Sequence, residues 1–547
     1  MQKLFHWLDN HGLMLLAGFL LVFIPLYPKL PLFDIIPGYI VRVRIEDFLI
    51  LFTAAIWFFR ALRGKEKLHP LMTKIFVAYI VVGLLSCLSA MFITKTVPLV
   101  DIHIAKLFLN YFRRIEYFSL FFIFFSAVKS IKQIKLLISL LIVSMICVAG
   151  YGFGQKYLYW PVYSTMNREF SKGMVLYLSE HARVPSTFGG HYDAAAYTMI
   201  VLTILLAVSW YATSKWLKWS STIAFLAGFW LLILTASRTS FIAYLGAVSL
   251  LAFMSMFVKK WWWPIPRYLL VMVFSLVVML SFGDLSERFA EVFGLKSFKE
   301  KFAQTLLSAK INKPSNGQAV SEVSLVTTPS DTPPSSEKPN NLPGGVYENI
   351  PLKIAETDAE GKYTGSYKVV SRTYSDNAYK YGLSAAIRLD TTWPLAIAGF
   401  QRNPLLGSGY STLSKESVGH FTEAESTDND FLRNLGETGI LGVLFFYGAV
   451  ITAAVIALRS VSRTQDVTMK GILVGYVAAN IGLLSNGIYI DIFEASKVAE
   501  VFWALTGMVI ALSTFPNNSQ LAPIPESPLA TVPATKKPIK KISKKKK

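Results

Sequence analysis

Long apolar runs alternate with short basic segments along most of the chain. Runs wide enough to cross a hydrocarbon core of roughly 30 Å lie near 12–27, 47–60, 71–93, 107–128, 136–155 and 194–213. Others lie near 219–236, 240–258, 267–283, 438–458, 471–488 and 497–514. This pattern predicts an all-α integral membrane protein with about twelve transmembrane helices, the second run being short for a span. Between the ninth and tenth runs the pattern changes, and about 284–437 reads as one large external loop. Within it, about 310–345 is rich in Pro, Ser, Thr and Asn and holds too few apolar groups to offset its ordering entropy, so disorder is expected there. Ser375 to Phe400 differs, with apolar groups at mixed helical spacing that predict a short helical subdomain over the membrane domain. The expected organisation is therefore a membrane domain over 1–283, the loop over 284–437, a second membrane portion over 438–514 and a disordered tail over 515–547.

An even number of spans puts both termini on one side, and the distribution of Lys and Arg indicates which. Arg60 to Lys67, Lys129 to Lys135, Lys215 to Lys218, Lys259 to Arg267 and Arg459 to Lys470 all fall on the terminus side, which is therefore expected to be cytoplasmic. The tail "TKKPIKKISKKKK" is a solvated extension suited to anionic lipid. Its lysines and the inside loops account for much of the net charge of +20, so the basic balance points to membrane lipid and not to nucleic acid. With hydrophobic residues at 53%, a soluble globular class is excluded. Cys87 and Cys147 both fall inside apolar runs, so neither a disulfide framework nor a thiolate metal site is expected outside. No small-residue cleavage site follows the first run, which reads as an anchor.

Several arginines fall on the side that should be poor in them. Arg183 precedes the sixth run, Arg238 sits in the short hairpin between the seventh and eighth, and Arg388 lies in the large loop. Each alone can be a snorkelling or loosely paired side chain. As a group they suit a diphosphate, because guanidinium groups fork onto phosphate oxygens and stay charged at any relevant pH. Arg113, Arg114 and Glu116 form a charged turn inside the fourth run, where they either face a wet cavity or pair to hold helices together. Asp428 and Asn429 stand at the entry of the tenth run, with Arg433 and Glu437 deeper on the same helix. Asp428 reads either as a group facing an acceptor sugar or as a helix cap, Ser426 or Thr427 being the other possible caps. Gly436, Gly439 and Gly442 suggest close helix contact. His191 and Asp193 could form an acid–base pair or a headgroup anchor, and no histidine shows metal-ligand spacing. "LLGSGYS" lacks the context of a phosphate loop and reads as a turn.

At "SRTSF", "AIRLDTTWPLAIAGFQRNPLLGSGY" and "STDNDFLRNLGETGILG" the chain resembles the O-antigen ligase and O-antigen polymerase superfamily. The likeness covers roughly residues 180–460 in motif and the whole chain in hydropathy layout. It implies a membrane glycosyltransferase of the cytoplasmic (inner) membrane, with its active site outside and with no metal or cofactor. Such an enzyme moves a glycan from an undecaprenyl-diphosphate carrier to an acceptor hydroxyl. On that resemblance Arg238 and Arg388 neutralise the leaving diphosphate, joined by Arg183, and Asp428 takes the acceptor proton. Asn429, His191, Arg113, Arg114 and Glu437 are the expected substrate contacts. Ligases of the family show His-Asn where this chain has Asp428-Asn429. A carboxylate can replace imidazole as base, and the Asp-Asn form resembles the polymerase branch, so a glycan acceptor ranks above the lipid or protein acceptor of a ligase. A lipid-linked oligosaccharide flippase is the rival from another class, although the paired repeats usual in carriers are not visible. A structural membrane protein using the loop for contacts is the other.

Overall fold

The computed structural model describes residues 2–33, 42–166, 170–281, 342–343, 352–357, 363–370, 373–413 and 426–515. Apart from 342–343 and 515, the insert expected at 310–345 and the tail at 515–547 lie outside the described residues. Each of the twelve apolar runs is occupied by a helix. They are α1 (Gln2–Leu26), α2 (Ile45–Leu62), α3 (Pro70–Phe92), α4 (Asp101–Ala127), α5 (Ile131–Tyr157) and α6 (His191–Tyr211). There follow α7 (Lys215–Leu234), α8 (Arg238–Val258) and α9 (Ile265–Ser281), and after the loop α13 (Asp430–Arg463), α14 (Val467–Asn486) and α15 (Ser496–Ser513). In the loop lie α10 (Asp376–Tyr381), α11 (Leu383–Ile387), a π turn at Arg388–Thr392 and α12 (Trp393–Arg402).

Of these twelve, eight helices among the described residues, α3, α5 to α8 and α13 to α15, are long and apolar enough to cross a membrane. The apolar parts of α1 and α9 are shorter, His11–Leu26 and Ile265–Ser281. Charges interrupt α2 at Glu46, Asp47 and Arg60, and α4 at Arg113, Arg114 and Glu116. The mostly helical architecture fits the all-α expectation, and the loop adds one antiparallel hairpin, β1 (Leu352–Thr357) with β2 (Tyr363–Val370), in which Leu352 pairs with Val370. The β-branched and aromatic run "YTGSYKVV" favours an extended chain.

Helices α6 and α15 are buried over 94% of their apolar windows, and the other helices pack around them. The α15–α4 contact depends on Gly507, where a Cβ would lie 2.3 Å from the Phe121 carbonyl oxygen. Above it Trp503 meets the rings of Phe76 and Phe118 edge-on, and Phe493 meets Phe446 and Phe502. This aromatic layer fixes the connector between α14 and α15 against α3, α4 and α13, just beneath the candidate chemistry.

Helix α13 is broken at Gly439, whose φ of 65° and ψ of −168° are left-handed and extended in turn. The break leaves backbone groups without intrahelical partners, and the turn at 404–409 takes their place. Ile440 N donates to Pro404 O at 2.9 Å, Ser408 N to Gly436 O at 2.8 Å and Gly409 N to Glu437 O at 2.9 Å. The "LLGSGYS" turn is thus a splice in a helix. Gly439 serves this kink and not the helix contact expected of it, whereas Gly436 packs against the Ala396 backbone of α12.

Candidate functional site

The site gathers where α13 begins and the α14–α15 connector passes, at the end of the bundle that the Lys/Arg pattern assigns outside. Asp491 organises it. Its Oδ2 accepts from Thr427 N at 2.7 Å, Ser426 Oγ at 3.0 Å and Arg433 Nη1 at 3.0 Å, and its Oδ1 accepts from Asn429 N at 2.7 Å. Asp430 returns the tie, accepting from Ile492 N at 2.9 Å while its own N–H donates to Gly487 O at 2.8 Å. Both carboxylates are buried. The helix cap is Asn429, whose Oδ1 accepts from Leu432 N at 2.9 Å, so none of the three residues expected to cap does so.

Bound on both sides, the chain turns at Asp428 with φ 54°, a left-handed conformation that Asp tolerates better than most side chains. Thr427, Asn429 and Asp430 are buried, whereas the Asp428 side chain keeps 32% exposure. Its Oδ2 lies 3.2 Å from Arg388 Nη2 and its Oδ1 accepts from Ser426 Oγ at 2.7 Å. Arg388 is positioned by the π turn, a local widening often found at functional sites. Its Nη1 donates to Ser384 O and Oγ at 2.7 and 2.6 Å, its Nη2 to Tyr489 O at 3.2 Å, and the guanidinium lies 5.8 Å from the Tyr489 ring centre. Its Nε is buried and meets no hydrogen-bond acceptor among the described residues. Nearby Asp390 is exposed, and the Ser375 hydroxyl and Asn377 amide hold its carboxyl below the usual range.

Arg433 extends the network inward, with Nε 3.3 Å from Glu437 Oε1 and 3.4 Å from Glu494 Oε1. Glu437 also accepts from Ser411 N at 3.1 Å. Arg114 of α4 is ion-paired with Glu494, donates to Phe493 O at 3.1 Å and lies 6.0 Å from the Tyr410 ring. The Tyr410 hydroxyl is buried, which holds its pKa well above the usual phenol value. Arg114 and Glu437 therefore join the Asp428 network from behind. Arg113, one residue away, faces α2 and stands 4.0 Å from Asp47 Oδ1.

Arg183 and His191 are brought together, Nη1 donating to Nε2 at 2.6 Å, which makes that imidazole an acceptor carrying its proton on Nδ1. Arg183 also donates to Tyr192 Oη at 3.2 Å, while Asp193 takes no part in this pair. Arg238 opens α8 after the Ser237 cap and is half-buried; among the described residues it has no hydrogen-bond or ion-pair partner. Its surroundings link the two groups. Val184 N donates to Leu234 O at 3.1 Å, tying the Arg183 segment to the α7–α8 hairpin, and Asn486 Nδ2 donates to Ser240 Oγ at 3.0 Å, tying that hairpin to the connector.

For a metal, one grouping among the described residues has suitable spacing: single oxygens of Asp47, Glu116 and Glu500 lie within 4.8 Å of one another. The Arg113 guanidinium already stands beside Asp47. The sequence reading missed Asp491, Glu494 and Tyr489 and gave Asp430, beside Asn429, no role of its own. The available signal was two acids, Asp491 and Glu494, in a short connector between apolar runs.

No curated protein matches the chain. Residues 223–447 match the family model for O-antigen ligase, a stretch that carries Arg238, Arg388, Asp428, Asn429 and Glu437 but not Arg114, Arg183 or Asp491. Eight apolar helices suit a multi-pass membrane protein, and over residues 223–447, which include most of the site, the chain is similar to the O-antigen ligase family.

Proposed function

We propose that the chain polymerises undecaprenyl-diphosphate-linked oligosaccharide repeat units at the external face of the cytoplasmic membrane. The ion pair of Arg388 with a half-open Asp428 carries this reading. It sets a carboxylate acceptor beside a forked cation at the end of a membrane bundle. An acceptor sugar hydroxyl gives its proton to Asp428 as its oxygen bonds to the anomeric carbon of the donor glycan. The bond from that carbon to the diphosphate oxygen breaks, and the diphosphate leaves with the electron pair. Guanidinium groups fixed beforehand stabilise the charge that develops.

The electrostatics divide the site. Around Asp428 the carboxylates of Asp430, Glu437, Asp491 and Glu494 outnumber the guanidiniums of Arg114, Arg388 and Arg433. That side favours sugar hydroxyls, which donate to carboxylates. The diphosphate is assigned toward Arg238, whose guanidinium has no hydrogen-bond or ion-pair partner among the described residues and whose hairpin is tied to the Arg183 segment by Val184 N and Leu234 O.

Ligase-type transfer to a lipid or protein acceptor is the second reading, favoured by the description of the matched family. The deciding experiment incubates purified protein with an undecaprenyl-diphosphate-linked oligosaccharide, without and with acceptors, and separates the products on a gel. A ladder without added acceptor supports polymerisation, and a single product that needs the acceptor supports ligation. No product from a cognate substrate shifts the reading to a flippase.

A further inference from the structure

Residues 254–270 and 455–474 together hold six basic side chains and one acid, Asp466. Both stretches lie at the end of the bundle opposite Asp428, where α8 and α13 finish and α14 begins. Exposed indoles mark the depth there. Trp216 and Trp219 open α7, Trp261 and Trp262 follow α8, and all four are more than half exposed. Indoles on the outside of a membrane bundle gather at the level of the lipid headgroups. Beside this belt a cavity of about 330 Å³ opens between α8 and α13. Phe257 walls it on the α8 side and Leu458 and Val461 on the α13 side, with Val474 of α14, which packs against both helices, behind them. Phe257 is 77% exposed and Leu458 51%, so the mouth is an apolar surface turned outward. Two polar side chains line the cavity, Ser462 and Lys470. Lys470 is half-buried, and its ammonium has no hydrogen-bond or ion-pair partner among the described residues. Asp466, one turn earlier, is already engaged: its Oδ1 accepts from Thr468 N at 2.7 Å and Met469 N at 3.2 Å, and its Oδ2 lies 3.3 Å from Lys135 Nζ. The Ser462 hydroxyl donates to Arg459 O at 3.0 Å, which leaves its oxygen as an acceptor.

A ligand that suits every wall has an anionic oxygen for Lys470, a hydroxyl donor for Ser462 and an apolar chain to lie between Phe257 and Leu458. A free phosphate leaves the apolar walls bare, and a headgroup that carries an ammonium sets a like charge beside Lys470 and its basic neighbours. We propose that this groove binds an anionic phospholipid with a hydroxylated headgroup, such as phosphatidylglycerol. Its phosphate meets Lys470, a headgroup hydroxyl meets Ser462, and one acyl chain runs between α8 and α13. Basic pockets between membrane helices hold anionic headgroups by the same combination of charge and apolar wall. The two helices that the lipid bridges are those whose opposite ends carry Arg238 and follow directly on Asp428. The site does not depend on which glycan the chain transfers, or on whether it transfers one.

The test uses the full-length protein in phosphatidylcholine nanodiscs that contain a small fraction of phosphatidylglycerol with a diazirine in its acyl chain, and maps adducts by peptide mass spectrometry. Adducts on residues 253–258 and 455–462 are expected above the level on other lipid-facing helices. Unlabelled phosphatidylglycerol should compete them away, and neither phosphatidylethanolamine nor glycerol 3-phosphate should. Lys470→Gln should weaken that competition about fivefold, as for loss of one lysine at an anionic surface. Leu458→Trp, which fills the groove and leaves every charge in place, should abolish the excess labelling. Labelling of α1 by bulk lipid should be the same in both variants as in the wild type. Equal labelling of the groove by a diazirine phosphatidylcholine overturns the proposal, since the groove then holds ordinary bilayer lipid. Full competition by glycerol 3-phosphate overturns it in favour of a soluble phosphate. Unchanged competition in Lys470→Gln overturns it as well, and assigns the preference for anionic lipid to the Lys-rich tail, which is present in every arm.

Discussion

Arg388 Nη2 lies 3.2 Å from Asp428 Oδ2 and 3.2 Å from the Tyr489 carbonyl, so one nitrogen is shared between the proposed base and the α14–α15 connector. A diphosphate that draws on Arg388 therefore alters the surroundings of Asp428 in the same motion. Arg388→Ala is expected to lower polymer formation by roughly 10²–10³-fold, as for loss of one fixed donor to a developing anion. Asp428→Asn should cost about 10²–10⁴-fold. Arg388→Lys should not restore the rate, because one ammonium cannot serve Ser384, Tyr489 and Asp428 together. Initial rates on gels decide this, and a wild-type rate for the lysine variant would show that the fork is unused.

Arg238 should separate function from stability. Because it has no partner among the described residues, Arg238→Ala is expected to change stability by no more than about 0.5 kcal/mol, as at other sites without specific contacts. Transfer should nevertheless fall at least tenfold. Thermal melting in detergent beside rate measurements tests both, and a large melting shift with unchanged transfer would assign Arg238 to packing.

Asp491 should behave in the opposite way. Its carboxylate takes two backbone N–H groups, a hydroxyl and a guanidinium, so Asp491→Ala strands both buried amides and removes one of the three carboxylates around Arg433. The expected loss is about 3–5 kcal/mol, typical of breaking a buried pair from one side. Glu494→Gln keeps an acceptor for Arg114 and should cost less. Comparable melting temperatures for the two variants would argue against Asp491 as the organising group.

Gly439→Ala tests the break in α13. A Cβ there would lie 2.4 Å from the Leu405 carbonyl carbon, on a backbone at φ 65° that side chains rarely adopt. Strained backbone alone costs about 1–3 kcal/mol, and the clash adds to it. We expect low yield or a melting temperature several degrees down, with Gly448→Ala, which meets nothing within 4 Å, as the neutral control.

Lys29 gives stability a pH dependence. Its ammonium donates to Ser496 Oγ at 2.6 Å, and burial, then Arg44, pull its pKa down to about 8 from an ordinary 10.5. Arg113 acts in the same direction, and Asp193 and Glu46 oppose it. Between pH 8 and 10 the unfolded chain therefore holds a proton that the folded one has released, so stability from this group rises with pH across that window. Below pH 8 both states are protonated and the penalty is constant. Melting temperatures from pH 7 to 10 should show the rise in the wild type and a smaller rise in Lys29→Met.

How much of this was legible depends on distance along the chain. Helices in the apolar runs follow from length and hydropathy alone, because backbone in hydrocarbon must satisfy itself. Arg388 and Asp428 stood out as charges in the loop and at its membrane entry, but nothing local says that residues forty positions apart meet. Asp491 escaped notice for the same reason: its four donors all come from 426–433. The cap was misread because Ser426, Thr427 and Asp428 are each chemically able to cap. Asn429 does so because Asp491 has already claimed the N–H groups of Thr427 and Asn429. Gly439 looked like a packing glycine because its spacing from Gly436 and Gly442 suits a helix face, and the segment that breaks the helix there lies thirty residues earlier.

That earlier position bears on how the protein is made. The turn at 404–409 leaves the ribosome before Asp430–Leu441, so the seat that completes α13 is synthesised ahead of the helix it must join. The outer part of α13 carries Asp430, Arg433 and Glu437 and begins directly after Asp428. The chemical end of the molecule therefore takes its bearing from the loop, while the part below Gly439 takes its own from the bilayer. Sequence changes in the loop that leave this turn intact can therefore accumulate without moving the membrane bundle, which under the proposed function is where variation in the glycan handled would be accommodated.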